Sequence, residues 1–277
     1  MIEYLKYIFL GVVQGVSEIL PISSSGHTAL FQKLVGLNLT DTNMALLSVF
    51  MHFASLIAMI IFFHKQIWYM LENTWLFLFT KTKENRSNYR DGFLLFIYLV
   101  IASIPVALVG ILLEDHVTSL FGSLLIIGIF FIITGLTLLF VGLFTKKSEK
   151  TEYTWRNTLI TGLFQCFGIL PGISRSGITM SGAKVAGLND EKAKQFAFLL
   201  FLPVAAGSFI FSIPDLFRIT SEQAALIPYF LVATLFSFGF TLLALLFIFK
   251  KFNLKHYKWF AIYMFMVGTF TIIYSRI

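Results

Sequence analysis

Six runs of predominantly apolar residues, at roughly 45–63, 93–113, 119–144, 191–213, 224–249 and 259–275, leave this chain few ways to fold. Each is close to the ~20 residues that an α-helix needs to cross the hydrocarbon core of a bilayer. No water reaches that core, so a spanning segment must satisfy its own backbone N–H and C=O groups, as a helix does. Composition agrees: 57% of the residues are hydrophobic and only 13% are charged, against about 25% charged in an ordinary soluble domain. The chain reads as an all-α polytopic membrane protein, a single integral membrane domain over residues 1–277.

Lys and Arg set the orientation. Most of them fall in the links at 81–91, 145–156 and 250–258, among them Lys81, Lys83, Lys146, Lys147, Lys250 and Lys251. The positive-inside rule puts those links in the cytoplasm. The net charge of +7 is then topological and calls for no nucleic-acid partner. The links at 114–118 and 214–222 are poor in Lys and Arg and 37–44 has none, so these lie outside. Counting sides, 145–156 and 184–194 are both inside, so 157–187 enters and leaves on the cytoplasmic side. The stretch 2–36 does the same on the outer side. Each consists of an apolar segment, a Ser/Gly/Pro break and a second apolar segment, which is the pattern of a re-entrant hairpin. The expected fold is six transmembrane helices plus two re-entrant helical hairpins in an inverted-topology repeat, about 1–145 and 155–277. The first half carries an insertion of about 25 residues around 66–90. Glu72 and two tryptophans make 66–80 an interfacial helix.

The repeat is also legible residue by residue. A shift of 151 carries Gly11, Gln14, Ile22, Ser23, Ser25, Gly26 and Thr28 onto Gly162, Gln165, Ile173, Ser174, Ser176, Gly177 and Thr179 without a gap. The copies differ at reactive positions: Glu18 becomes Ile169, Ser24 becomes Arg175 and His27 becomes Ile178. One copy supplies acid, hydroxyl and imidazole, and the other a permanent cation. Inverted repeats of broken helices place their site near the midplane, so the two motifs are expected to meet there.

Other features bound the reading. A single cysteine, Cys166, excludes an internal disulfide and a cysteine metal cage. The first twenty residues resemble a signal peptide, but no small-x-small site precedes Pro21 and an internal copy exists at 162–179, so they are expected to stay. Gly128, Gly135 and Gly142, the pair Gly11/Gly15 and the looser pair Gly162/Cys166 are small residues that allow close helix approach.

A charge at bilayer depth costs about 2.5–3.5 kcal/mol on insertion scales, so Glu18 and Arg175 need partners or a wet cavity. A plain ion pair would satisfy both, but would not require the surrounding hydroxyls. Gln14 and Glu18 share a helical face and together could hold Mg²⁺ or Ca²⁺ through oxygen ligands; Glu18 could equally be a general base. Ser23-Ser24-Ser25-Gly26 and Ser174-Arg175-Ser176-Gly177 each open a helical segment. Serine there is usually an N-cap, but two such helix starts aimed at the centre also offer backbone N–H groups to an anion. Arg175 adds a fork suited to phosphate. Ser24, His27 and Glu18 could serve as nucleophile, proton shuttle and orienter, or His27 could itself be the nucleophile. His52, near Ser48 and Ser55, reads as a helix–helix hydrogen bond.

With these motifs in hand, Gln14-x-x-x-Glu18-x-x-Pro21-x-Ser-Ser-x-Gly26-His27 and Pro171-Gly172-x-Ser174-Arg175-Ser176-Gly177-x-Thr179 resemble the undecaprenyl-diphosphate phosphatases, the bacitracin-resistance proteins. The resemblance extends over the whole chain in length and repeat arrangement. It implies an enzyme of the bacterial cytoplasmic membrane that hydrolyses undecaprenyl diphosphate to the monophosphate carrier of peptidoglycan synthesis. It further implies a site facing the outer side and assistance by Mg²⁺ or Ca²⁺. By resemblance the catalytic set is Glu18, Ser24, His27 and Arg175. The phosphate-binding set is Ser23, Ser25, Gly26, Ser174, Ser176, Gly177 and Thr179, with metal at Glu18 and Gln14. The family often has Glu where this chain has Gln14, which removes one charge from the metal set. Type-2 phosphatidic acid phosphatases also use Ser-Gly-His and Ser-Arg pieces, but they need a second His soon after the Ser-Arg, and none follows Arg175 before His256. The expected partners are a prenyl diphosphate lipid and the bilayer, and a homodimer is compatible. The alternative is a lipid-phosphate transporter or flippase that uses the same anion site.

Overall fold

The computed structural model describes residues 1–277 except 38, 81, 83–85, 146 and 147, and describes only the backbone at 114, 115, 118 and 254. The expected cytoplasmic lysines Lys81, Lys83, Lys146 and Lys147 lie outside the described residues. In chain order the helices are α1 (Ile2–Ile19), α2 (Ser24–Leu34), α3 (Asp41–Phe62), α4 (His64–Phe79), α5 (Arg90–Leu112), α6 (Glu114–Leu120), α7 (Leu124–Phe144), α8 (Trp155–Cys166), α9 (Arg175–Val185), α10 (Asp190–Leu216), α11 (Ser221–Lys251) and α12 (Tyr257–Tyr274). Short 3-10 turns lie at Phe167–Ile169 and Leu254–His256. Among the described residues the only extended pairing is an isolated bridge between Lys150 and Leu188.

Among the described residues five helices, α3, α5, α7, α10 and α11, are long and apolar enough to cross a membrane. The chain is a multi-pass, all-helical membrane protein. The sixth expected span forms α12, 18 residues long, but Lys258, Trp259 and its tyrosines keep it out of that set. Helices α3, α7, α8, α10 and α11 start where polar side chains take over the first free N–H groups, whereas α5 starts at Tyr89 without a side-chain cap. Thr40, Ser123 and Asn189 accept from the backbone three residues on, and Thr154–Asn157 and Thr220–Gln223 form reciprocal capping boxes.

The short helices position the site. At 1.5 Å per residue, α2, α8 and α9, with 11, 12 and 11 residues, rise only about 16–18 Å, far less than a bilayer core. The 18-residue α1 is longer, about 27 Å. It buries the face carrying Tyr7, Gly11, Gln14, Gly15 and Glu18, whose spacing is that of one helical stripe. Gly11 lies so close to α11 that a Cβ there would stand 2.3 Å from the Ala233 carbonyl oxygen. Gly162 of α8 makes the matching approach to α5, where a Cβ would stand 2.3 Å from the Ala102 carbonyl oxygen. The first helix of each half therefore docks, through the same glycine of the repeat, on a long helix of the other half.

The remaining packing follows from apolar surroundings. Gly128 and Gly135 of α7 face backbone carbonyls of α12, at Gly268 and Ala261, while Gly142 is exposed. Fully buried hydroxyls pair across α3 and α11, with Ser55 Oγ 3.0 Å from Thr241 Oγ1 and Ser237 Oγ donating to the Met51 carbonyl at 3.1 Å. A lone hydroxyl there would cost the desolvation of an unmade bond. Helix α4 packs on α5 through Phe77 and Phe93, stacked at 4.2 Å, and leaves Trp68 and Trp75 exposed.

Candidate active site

The two hairpin turns are built alike. Ser23 caps α2 by accepting from the Gly26 N–H at 3.4 Å, and Ser174 caps α9 by accepting from the Gly177 N–H at 3.1 Å. Beyond each cap lies a second hydroxyl: Ser23 Oγ is 3.5 Å from Ser25 Oγ, and Ser174 Oγ is 3.3 Å from Ser176 Oγ. The turns interlock. Ser176 Oγ donates to the Leu20 carbonyl at 2.9 Å, Gly177 lies against Pro21, and Gly26 lies against Gly172 and Phe131. Thr134 of α7 clamps the second turn, accepting from the Ser174 N–H at 3.2 Å and donating to the Gly172 carbonyl at 3.0 Å.

Between the turns lies a small polar cavity. Ser17, Glu18, Ser23, Ser24 and Ser25 line it from the first half, with Gly168, Ile173, Ser174, Arg175 and Ser176 from the second and His52 from α3. Glu18 is its centre, with a side chain only 2% exposed. Ser24 Oγ donates to Glu18 Oε2 at 2.5 Å, Gln14 Nε2 donates to the same oxygen at 2.8 Å, and His52 Nδ1 lies 3.2 Å from it. Arg175 Nη1 stands 3.7 Å from Glu18 Oε1, too far for a hydrogen bond but close enough for charge attraction. Three donors or charges besides Arg175 therefore share the buried carboxylate, which is more than a plain ion pair provides. The Arg175 guanidinium lies over the Phe201 ring at 5.0 Å and is 31% exposed, so it can turn toward a ligand.

Of the residues singled out in the sequence, Glu18, Ser24, Arg175, Ser23, Ser25, Ser174 and Ser176 meet at this cavity. Gly26, Gly177 and Thr179 do not line it. The glycines close the hairpin contact instead, and Thr179 Oγ1 donates back to the Arg175 carbonyl at 2.7 Å. His27 is not brought to Ser24. Its buried ring reaches back one turn, with Nδ1 2.7 Å from the Ser23 carbonyl and Nε2 2.8 Å from the Tyr263 hydroxyl of α12. A Ser24–His27–Glu18 relay is thus replaced by direct contact of Ser24 with Glu18. Gln14 turns its amide nitrogen, not its oxygen, toward Glu18, because an amide oxygen beside a carboxylate oxygen would repel it. The Gln14–Glu18 metal pair is therefore not preformed. The repeat counterpart Gln165 is buried with both amide atoms unpartnered, and nothing in the structure accounts for it.

His52 was missed as a site residue. It does make a helix–helix contact, but with Gln14, at 2.9 Å, and Glu18. Its polar stripe with Ser48 and Ser55 was the available signal; which helix it faced was not in the sequence. Ser17 gave no signal beyond its place next to Glu18.

Comparison with known proteins identifies the family. The family described as bacitracin resistance protein BacA matches residues 7–270, and the chain belongs to it. A protein of Oceanobacillus iheyensis named undecaprenyl-diphosphatase is 34% identical over 97% of this chain and 95% of its own length. Others with that name are similar: one from Acholeplasma laidlawii at 33%, covering 98% and 97%, and undecaprenyl-diphosphatase 2 of Bacillus thuringiensis at 32%, covering 98% and 97%.

Proposed function

We propose that this member of the BacA family removes the terminal phosphate of undecaprenyl diphosphate, yielding undecaprenyl phosphate and inorganic phosphate. It is an undecaprenyl-diphosphatase, and its activity underlies bacitracin resistance because it regenerates the lipid carrier. The observation that carries the chemistry is the 2.5 Å contact of Ser24 Oγ with a buried carboxylate, opposite an arginine from the other hairpin.

In the mechanism that this supports, Arg175 leaves Glu18 for the terminal phosphate. Its planar fork and the hydroxyls of Ser23, Ser25, Ser174 and Ser176 hold the phosphate oxygens. Ser24 Oγ attacks the terminal phosphorus and passes its proton to Glu18. The bridging P–O bond breaks and undecaprenyl phosphate leaves, taking the proton from Glu18. Glu18, again a carboxylate, then deprotonates a water that attacks the Ser24 phosphoester, and the same proton returns to Ser24 Oγ as the Oγ–P bond breaks and inorganic phosphate is released. His52 and Gln14 orient the carboxylate. Positioning and charge neutralisation supply most of the rate.

A divalent cation belongs to the same proposal. Among the described residues no cluster of three His, Cys, Asp or Glu side chains forms a cage. The hard oxygens of Glu18 and of the substrate phosphates fit Mg²⁺ or Ca²⁺, which usually bind through one or two carboxylates plus phosphate. Bound there, the ion neutralises charge on the diphosphate.

The membrane arrangement is also proposed: six transmembrane segments with α12 as the last, two re-entrant hairpins α1–α2 and α8–α9, and inverted repeats. It is supported by the short arms of α2, α8 and α9 and by the reciprocal docking of Gly11 and Gly162. The setting is the bacterial plasma membrane, with the cavity open to the outer side. The same reciprocal docking favours a second reading, in which the hairpins alternate access and carry lipid phosphate across. Phosphate release from undecaprenyl diphosphate by the purified protein in detergent decides between them. No release from folded, lipid-bound protein overturns the hydrolase.

A further inference from the structure

One residue in the site carries an unusual backbone. Ser23 has φ +69° and ψ +102°, and it is the only non-glycine residue with positive φ among those described. Such conformations are disfavoured for a residue with a Cβ and persist only where the surroundings hold them. The repeat supplies an internal control. Ser174, its counterpart and also a helix cap, sits at φ −73°. The two turns differ at Pro21 against Gly172, at Ser24 against Arg175 and, four residues past the cap, at His27 against Ile178, where the first half alone sets a ring nitrogen on the cap's own carbonyl.

The contacts of His27 explain the correlation. A carbonyl can only accept, so the His27 nitrogen 2.7 Å from the Ser23 carbonyl, Nδ1, carries the proton and donates. Nε2 is then the acceptor, and the Tyr263 hydroxyl at 2.8 Å donates to it. Tyr263 and His27 stack with rings 9° from parallel, and Phe131 packs at 4.9 Å from the imidazole. The ring is 1% exposed and has no free edge toward the cavity. Ser23 immediately precedes Ser24, so the twist at Ser23 decides where the Ser24 hydroxyl points.

We infer that His27 and Tyr263 are positioning residues: together they clasp the Ser23 carbonyl, hold its left-handed backbone, and thereby aim Ser24 Oγ at Glu18. The clasp ties the first hairpin to α12 of the other half. This rests on the phosphatase reading, with Ser24 as the group that attacks. It assigns His27 no proton-transfer role.

The test separates the two nitrogens of His27. Asparagine places an N–H where Nδ1 stands, whereas glutamine reaches the Nε2 position and leaves the Ser23 carbonyl only the longer, 3.3 Å bond from the backbone N–H of residue 27. His27→Asn should keep kcat within about tenfold of wild type, with KM and the shape of the pH–rate profile unchanged. His27→Gln should lose at least tenfold more than His27→Asn. Tyr263→Phe, which keeps the stacking and loses one buried hydrogen bond, should lower kcat roughly three- to tenfold at constant KM. In a Ser23→Gly background, where positive φ is unstrained, Tyr263→Phe should cost less than in wild type. Equal inactivation by Asn and Gln, with loss of one limb of the pH profile, would make His27 an acid or base and overturn the clasp. Hydrogen exchange of the peptide spanning 23–28 gives a readout independent of turnover. It should quicken in Tyr263→Phe, and an unchanged rate counts against the clasp. A wild type that releases no phosphate refutes the phosphatase reading alone, since the exchange measurement still reports on the clasp.

Discussion

Replacing Glu18 by glutamine probes the pair at the centre of the cavity. The change is isosteric, so it opens no void, and the Ser24 hydroxyl can still donate to the new amide oxygen. What disappears is the ability to accept Ser24's proton as the hydroxyl attacks phosphorus. General-base assistance is worth about 10²–10⁴ in rate, or roughly 2.7–5.5 kcal/mol of barrier at 1.36 kcal/mol per decade. The fold should survive. Glu18's ion pair is long at 3.7 Å, and neutralising a buried carboxylate removes its desolvation cost together with that attraction, so the two changes offset. The thermal midpoint in detergent should therefore move by only a few degrees. Phosphate release from undecaprenyl diphosphate is the assay, run for Glu18→Gln, Ser24→Ala and the double variant. Ser24 and Glu18 act as one unit, so the double variant should be about as slow as the slower single one. Two results would refute the reasoning: a loss below tenfold for Glu18→Gln, or a double variant in which the two single losses multiply in full.

Arg175→Lys keeps the charge but loses the planar fork, so kcat/KM should fall roughly 10- to 1,000-fold; wild-type kinetics would remove Arg175 from phosphate binding. His52→Ala should lower kcat about tenfold with little change in KM, because it frees Glu18 on one side; a rise in KM alone would mean substrate contact instead. Gly11→Val and Gly162→Val should each destabilise by at least about 1–3 kcal/mol through overpacking against carbonyls of Ala233 and Ala102, read as a lowered thermal midpoint. Tolerance at either position would break the reciprocal docking. Chelation should slow phosphate release and Mg²⁺ or Ca²⁺ should restore it; an unchanged rate removes the cation from the mechanism.

Much of this was written in the chain. Apolar run length dictated helices, because a backbone in lipid must bond to itself. The 151-residue repeat marked Ser23-Ser24-Ser25 and Ser174-Arg175-Ser176 as partners, because like sequences make like turns. Glu18 and Arg175 stood out because charge at that depth has to be matched. All of these are local or pairwise consequences of covalent sequence and solvent. Tertiary structure decided the rest. Which face of α3 turned toward α1 brought His52 to Glu18, since the orientation of one helix against another is fixed by packing across the whole bundle. It also drew His27 away from Ser24, because Tyr263, 236 residues distant, offered its ring a buried hydroxyl. Sequence spacing put His27 within reach of Ser24, but the ring could turn either way, and only the neighbours supplied by the fold chose the direction.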